Sequence, residues 1–224
     1  MEHVKYPKTM HFPWSPGLQN DDRVLTDPDC FHGKYIVVTE KMDGENTTMY
    51  RDFIHARSLS EMAPHESRTR VKAIHGGIKN NIPENFRICG ENMQAKHSVH
   101  YCKANMNRVG SYFLVYSIWD GDICLGFEET YEWCKLLGLE HVPVMSDGIY
   151  HRSDLIALEN WMRPDYHNGK KEGYVVRNGY SFHIKDFQTN VAKYVRKGHV
   201  QTSEHWLNEP MVENEVLRQG EIDL

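Results

Sequence analysis

The pattern of hydrophobic and polar positions predicts a chain built mainly of short strands with a few helices between them. Strands are expected where β-branched and aromatic residues alternate or run together, at 34–41, 46–51, 86–93, 112–119, 142–145, 173–177 and 180–185. Helices are expected where apolar residues recur at helical spacing, after Ser67 and at 128–137, 154–162 and 190–197. Because strands and helices do not alternate regularly, the pattern favours an α+β fold over a doubly wound parallel sheet.

Two dipeptides in this pattern predict tight hairpins. Asp43-Gly44 separates the strands at 34–41 and 46–51, and Asn178-Gly179 separates those at 173–177 and 180–185. Both pairs favour the two-residue turns that join antiparallel strands. The first hairpin would carry Lys41 at its mouth.

Length and composition are those of an ordinary globular chain. The 224 residues are 40% hydrophobic and 25% charged, which excludes a large modular protein and a disordered one. The sequence lacks the roughly 18 consecutive apolar residues of a membrane span and the apolar run of a signal peptide. The five cysteines have no Cys-x-x-Cys spacing. We therefore expect a soluble, cytoplasmic protein with reduced thiols and no membrane partner.

The first candidate chemistry lies at Lys41, within Glu40-Lys41-Met42-Asp43-Gly44-Glu45-Asn46. A lysine amine attacks an electrophile only after losing its proton, and its free pKa is about 10.4. Covalent use of the amine therefore requires burial or nearby positive charge that favours the neutral form. A position at a strand end above a pocket is expected to supply that environment.

Further motifs follow this lysine in chain order, and together they carry a family resemblance. They are Ala56-Arg57-Ser58, Cys89-Gly90-Glu91-Asn92, Phe113-Leu114-Val115-Tyr116-Ser117-Ile118-Trp119-Asp120 and Glu172-Gly173-Tyr174-Val175-Val176-Arg177. With Lys-x-Asp-Gly at Lys41, the sequence resembles the covalent nucleotidyltransferases, and in particular the small bacterial and phage ATP-dependent RNA ligases. The resemblance spans residues 5 to about 206.

The resemblance implies a fold and an activity. The fold would be an α+β nucleotidyltransferase (ATP-grasp-like ligase) core of antiparallel sheets flanked by helices, without an oligonucleotide-binding barrel. The core would occupy residues 1–200, followed by a short acidic C-terminal tail at 201–224. The activity would be that of an ATP-dependent RNA ligase, joining 5′-phosphate and 3′-hydroxyl RNA ends through AMP on Lys41, with Mg²⁺ or Mn²⁺. We expect a monomer in the cytoplasm of a bacterial or phage-infected cell.

The resemblance also assigns site residues. The catalytic residues would be Lys41, Glu172, Lys185 and Lys193, with Glu172 as the metal ligand. The nucleotide would be bound by Glu40, Lys41, Met42, Asn46, Arg57, Glu91, Tyr116, Glu172, Lys185 and Lys193. The family's last motif usually has two lysines flanking one residue, whereas this chain has His183 in the first place, followed by Ile184-Lys185. Which of Lys185, Lys193 and Lys197 reach the ATP phosphates therefore stays open.

Three alternatives remain beside this interpretation. The chain could be a GTP-using guanylyltransferase of the capping type, or a catalytically inactive module that binds nucleotide or RNA. A zinc site could also be built from Cys89, His97, His100 and Cys102, although paired Cys-x-x-Cys and His-x₃-His spacings are missing.

Overall fold

The secondary structure is dominated by short strands. The structure is a computed structural model, and it describes residues 2–18, 21–151, 153–154, 171–198, 210–218 and 220–221. In chain order the strands are β1 (Met10–His11), β2 (Tyr35–Lys41), β3 (Glu45–Met49), β4 (Ile54–His55), β5 (Phe86–Asn92), β6 (Phe113–Asp120), β7 (Ile123–Cys124), β8 (Glu140–His141), β9 (Val144–Ile149), β10 (Gly173–Asn178), β11 (Phe182–His183) and β12 (Val191–Val195). The α-helices are α1 (Thr69–Ile78) and α2 (Phe127–Leu137), and 3₁₀ turns lie at Pro28–Phe31, Glu66–Arg68, Lys79–Asn81, Lys103–Asn105 and Ile184–Thr189.

The described strands form two mainly antiparallel sheets. The first sheet has the order β1-β12-β10-β2-β9, and the second has the order β11-β7-β6-β5-β3-β4, with β8 beside β6. Only the pairs β1·β12 and β6·β8 run parallel within this part of the chain. The predicted α+β fold with antiparallel sheets is confirmed.

Strand β2 lies inside the first sheet, between β10 and β9, and most of its residues are buried. Ile36 and Val38 pack into a core cluster with Tyr174 of β10 and Tyr194 of β12. Because successive side chains on a strand point to opposite faces, the alternate residues, among them Lys41, point to the other face. That face lines a cleft toward the second sheet.

The second sheet carries the two helices. Val71 of α1 and Leu137 of α2 pack in one buried cluster with Ile88 of β5 and Ile118 of β6. Helix α2 ends at Leu137 and is followed by Gly138, whose φ of 66° is the left-handed conformation that glycine adopts without strain. The helices thus cover this sheet on the side away from the cleft, and they leave the cleft face of β3, β5 and β6 open for function.

The predicted hairpin at Asp43-Gly44 is wrong, because β2 and β3 belong to different sheets. Residues 42–44 instead carry the chain from the first sheet to the second. The Asp43 carboxylate accepts a hydrogen bond from Val99 N (2.6 Å) rather than closing a local turn. A Cβ on Gly44 would lie 2.6 Å from Asn92 O, so glycine allows the close approach to β5.

The predicted hairpin at Asn178-Gly179 is also wrong, because β10 and β11 lie in different sheets. Gly179 bonds to neighbours that are distant in sequence: its N donates to Tyr35 O (2.9 Å), and its O accepts from Phe127 N (2.8 Å). Tertiary hydrogen bonds have therefore replaced the local turn. The second strand is reduced to Phe182–His183 and is followed by a 3₁₀ turn.

The helix predicted at 190–197 is a strand, β12. This segment is buried on both faces: Ala192 and Tyr194 pack in the core cluster, while Val191, Lys193 and Val195 line the cleft. An apolar run that is covered on both sides shows little period-two alternation, so its pattern also fits a buried helix. The helix predicted at 154–162 lies almost entirely outside the described residues.

The last described residues, 210–218, lie against the body of the chain through the bridges Ala95↔Glu213 and Val109↔Val216. The division into a core at 1–200 and a tail at 201–224 stays a prediction. Within the described residues, every helix is too short or too polar to cross a membrane.

We expect Gly173→Ala to lower the free energy of unfolding by about 3 kcal/mol or more, because overpacked backbone must move. A Cβ at this position would lie 1.9 Å from Tyr194 O. The matched control is Gly76→Ala in α1, where a Cβ meets no atom within 4 Å. This control should raise stability by about 1 kcal/mol through helix propensity. Urea unfolding of both variants tests the pair, and equal effects would contradict it.

Candidate active site

A cleft of about 530 Å³ between the two sheets gathers almost all of the predicted site residues. Those that line it are Glu40, Lys41, Met42, Asn46, Arg57, Glu91, Tyr116, Glu172 and Lys193. Lys185 is not among them: it is exposed in the 3₁₀ turn Ile184–Thr189. The roles assigned to these residues stay predictions, but their convergence on one cleft is a property of the fold.

Lys41 forms an ion pair with Glu172 at the floor of the cleft. Its Nζ lies 2.6 Å from Glu172 Oε1. The antiparallel register of β2 and β10 pairs Lys41 with Gly173, which brings the preceding residue, Glu172, beside the amine. Lys41 is partly buried, and Glu172 is buried.

The charge state of Lys41 differs from the sequence-based expectation. Burial lowers the pKa of Lys41, but the carboxylates of Glu172 and Glu91 outweigh it, so the pKa lies above its ordinary value. The amine is therefore an ammonium ion in the free protein. The expectation that burial makes it neutral is wrong here because two acids, rather than a cation, are its nearest charged partners.

Glu91 on β5 is the second acid beside Lys41. Its Oε2 is enclosed and has no hydrogen-bond partner among the described residues. Burial raises the pKa of Glu91 well above its ordinary value; the Lys41 ammonium opposes this shift, and Glu172 adds to it. A buried acceptor without a partner is costly. It fits a hydroxyl donor or a cation entering the cleft.

Aromatic and amide side chains form another wall of the cleft. Asn46 Nδ2 donates a hydrogen bond to the Tyr116 hydroxyl. The Tyr6 ring meets Tyr116 edge to face, with 5.0 Å between ring centroids. Arg177 donates to the Tyr6 hydroxyl (3.0 Å). This wall offers aromatic rings with polar groups beside them, as a nucleobase requires.

Lys193 lies on the same face of the first sheet as Lys41. The register pairs it with Val175 of β10, which pairs in turn with Thr39 of β2. Burial lowers the pKa of Lys193, and the charge of Lys41 adds to that effect. In the free protein, Lys193 Nζ is 3.6 Å from Asp22 Oδ1. Two cations on one wall can hold a polyanion.

A second ion pair lies next to that of Lys41. Glu40 contacts Lys171, so the consecutive residues of β2 pair with the two consecutive residues that precede β10. Burial raises the pKa of Glu40, and the charge of Lys171 opposes the shift. The Arg196 side chain donates to Lys171 O (2.7 Å). These contacts fix β2 and β10 in register at the cleft.

Among the cleft residues that the sequence interpretation did not assign to the site are Tyr6, His11, Asp22 and Arg177. His11 Nε2 lies 3.1 Å from Asp22 Oδ2. Burial lowers the pKa of His11 to about 4, with help from the charge of Lys193. Arg177 could have been found from its place in the apolar strand Val175-Val176-Arg177, where burying a charge requires a reason. The N-terminal residues carry no such signal.

The zinc interpretation finds no support in the described part of the chain. No group of three or more His, Cys, Asp or Glu side chains there could hold a metal ion by itself. His100 Nε2 instead donates to Glu213 O (3.3 Å). A metal held by one or two carboxylates together with ligand phosphates is a different case, and it is the usual one for Mg²⁺.

Comparison with known proteins relates this fold to polynucleotide ligases. The sequence model of the RNA ligase family matches residues 34–195. No curated protein sequence matches the chain. Among solved structures, the chain is similar to an archaeal ATP-dependent RNA ligase, with a TM-score of 0.56 and 17% identity over 86% of this chain and 48% of that one.

Two structures of Naegleria gruberi RNA ligase are also similar. The form with PPi gives a TM-score of 0.55 and 22% identity over 88% of this chain and 59% of that one. A mutant with ATP and Mn gives a TM-score of 0.53 and 19% identity over the same shares. The chain thus spans about half the length of these solved proteins. At these identities the likeness shows a shared fold.

Proposed function

Because the chain belongs to the RNA ligase family, we propose that it is an ATP-dependent ligase that joins RNA 5′-phosphate and 3′-hydroxyl ends. The observation that carries the proposal is the position of Lys41 Nζ on the floor of the cleft, between Glu172 and Glu91 and on the same wall as Lys193. An amine, two carboxylates and a second cation suit nucleotidyl transfer from a nucleoside triphosphate.

The reaction would proceed in three displacements at phosphorus. Lys41 Nζ attacks the α-phosphorus of ATP, the bond to pyrophosphate breaks, and AMP remains on the amine. A 5′-phosphate oxygen of RNA then attacks the same phosphorus and frees the lysine. Finally, a 3′-hydroxyl attacks the activated 5′-phosphate, and AMP leaves as the strand is sealed. Each step exchanges one phosphorus linkage for another, so positioning and charge carry the catalysis.

The first displacement requires that Lys41 lose its proton. In the free protein Glu172 Oε1, 2.6 Å away, holds that proton on the amine, and the amine would release the proton to water once Glu172 turns to a metal ion. As long as both acids face the ammonium, the pKa of Lys41 stays raised. Binding of the nucleotide would give Glu91 a hydroxyl partner on the ribose and draw Glu172 toward a metal ion. The pKa of Lys41 would then fall in the step in which the amine must lose its proton.

A divalent cation fits this site. Glu172, with the phosphates of ATP, would hold Mg²⁺ or Mn²⁺, which would neutralise charge on the phosphates. The similar Naegleria gruberi mutant was solved with ATP and Mn. The wall of Asn46, Tyr116, Tyr6 and Arg177 would take the base, and Lys193 would contact the phosphates. Arg57, exposed at the cleft mouth, would meet the RNA end.

Lys41 is expected to carry the covalent nucleotide. Incubation with ATP and Mg²⁺ should add the mass of AMP to the intact protein, and Lys41→Ala should remove this product. Peptide mapping must place the label on Lys41. Equal labelling by GTP would favour a capping-type guanylyltransferase, and no labelling by either nucleotide would favour a binding module without turnover.

Replacing Lys193 and replacing Lys185 should have different effects on the rate of lysine adenylation in the same assay. Lys193→Ala should slow lysine adenylation about 100-fold, because Lys193 lines the cleft and its charge would be needed from the first displacement. Lys185→Ala, the matched control, should keep a near wild-type rate because Lys185 is exposed outside the cleft. A larger loss in Lys185→Ala than in Lys193→Ala would contradict the assignment.

A further inference from the structure

Residues 210–218, here termed the C-terminal strap, bind along the loop at 93–109 by main-chain hydrogen bonds. The bonds are Lys96 N to Val212 O (2.7 Å), Asn214 N to Gln94 O (2.9 Å), Glu215 N to Tyr101 O (2.8 Å), Val109 N to Glu215 O (3.1 Å) and Leu217 N to Val109 O (2.9 Å). Together with the bridges Ala95↔Glu213 and Val109↔Val216, these bonds hold the strap against the loop at three places along the loop. None of the strap residues lines the cleft.

The buried side chain of Asn214 connects the strap to the loop. Asn214 is only 1% exposed. Its Nδ2 donates to Met93 O (2.8 Å) and to Ala95 O (3.0 Å), and its Oδ1 accepts from Tyr101 N (2.9 Å). A single buried amide thus bonds to three main-chain groups of the loop. The conformation of the loop at Tyr101 depends on it.

Tyr101 transmits this constraint to residues 42–44, the turn by which the chain passes from the first sheet to the second just after Lys41. Its hydroxyl accepts a hydrogen bond from Asp43 N (3.1 Å), and Val99 N of the same loop donates to the Asp43 carboxylate (2.6 Å). Asp43 is two residues from Lys41, in the short segment that crosses between the sheets. The loop therefore holds the turn at two points.

An apolar contact runs beside this polar path. Val216 of the strap packs against the buried cluster that contains Met42, Tyr101 and Val109. Met42 directly follows Lys41. Polar and apolar contacts therefore lead from the strap to adjacent residues of the same turn.

We propose that Asn214 is a positioning residue for Lys41, acting through Tyr101 and Asp43. The proposal rests on the proposed function, since the step it serves is the attack of Lys41 on ATP. Displacing a reacting atom by about 1 Å lowers the reaction rate roughly 100-fold. The turn at 42–44 determines where β2 ends, and therefore where Lys41 lies. Residues 210–218 would thereby be part of the active-site framework.

Asn214→Ala should slow single-turnover adenylation of Lys41 by Mg²⁺-ATP about 10- to 100-fold with little change in the ATP concentration for half-maximal rate. Tyr101→Phe should have a similar effect. The double variant should be no slower than the slower single variant, because both changes break one path. Multiplied losses in the double variant would overturn the proposal.

The control is His75→Ala in α1. The His75 side chain is also buried, and its Nε2 donates to a main-chain oxygen, Tyr50 O, at 2.7 Å, but it lies away from the cleft. This variant should lose thermal stability and keep the adenylation rate. If His75→Ala slows adenylation as much as Asn214→Ala, the effect is general destabilisation and the proposal fails.

Amide hydrogen exchange separates this proposal from the proposed function. Asp43 N–H should exchange at least 10-fold faster in Asn214→Ala than in the wild type and stay protected in His75→Ala. If the wild-type protein is not adenylated, the proposed function is wrong. The exchange rate of Asp43 N–H still shows whether the strap holds the turn. Unchanged exchange at Asp43 overturns the positioning role. Asn214→Asp, which keeps the acceptor for Tyr101 N, serves in both measurements if Asn214→Ala does not fold.

Discussion

The contact between the Lys41 ammonium and the Glu172 carboxylate organises the whole cleft. The register of β2 and β10 brings the two residues together, and Glu91 adds a second acid from the other sheet. A buried pair of this kind gains little stability, because desolvation offsets most of the attraction. Within the described part of the chain, one enclosed Glu91 oxygen has no hydrogen-bond partner, and this costs stability outright. Such an arrangement is expected where a binding site, rather than folding, determines the side chains.

Both ends of the described chain complete this arrangement. From the N-terminal side, Tyr6 joins the aromatic wall, and Asp22 contacts His11 and Lys193. From the other end, Asn214 supports the loop that holds Asp43. Neither the lysine motif nor the sheet around it defines the cleft alone. Its geometry depends on contacts between segments that are far apart in sequence.

The sequence predicts the strands around the site and most of its residues, but not how the strands pair. β2, β5 and β6 follow from β-branched and aromatic runs, and the charged residues within them stand out from their apolar neighbours. Both hairpins fail because Asp43 and Gly179 form tertiary rather than local hydrogen bonds. The raised pKa of Lys41, and the parts played by Tyr6 and Asn214, arise from long-range packing that no local pattern records.

We propose that Lys41 is held as an ammonium ion by its two acids until a nucleotide binds. The most direct test is an NMR titration of the Lys41 side chain in the nucleotide-free full chain labelled with ¹³C-lysine, with the signal assigned by Lys41→Arg. The pKa of Lys41 should lie above its ordinary value of 10.5, and it should be lower in Glu172→Gln than in the wild type. A wild-type pKa at or below 10.5 would contradict the proposal.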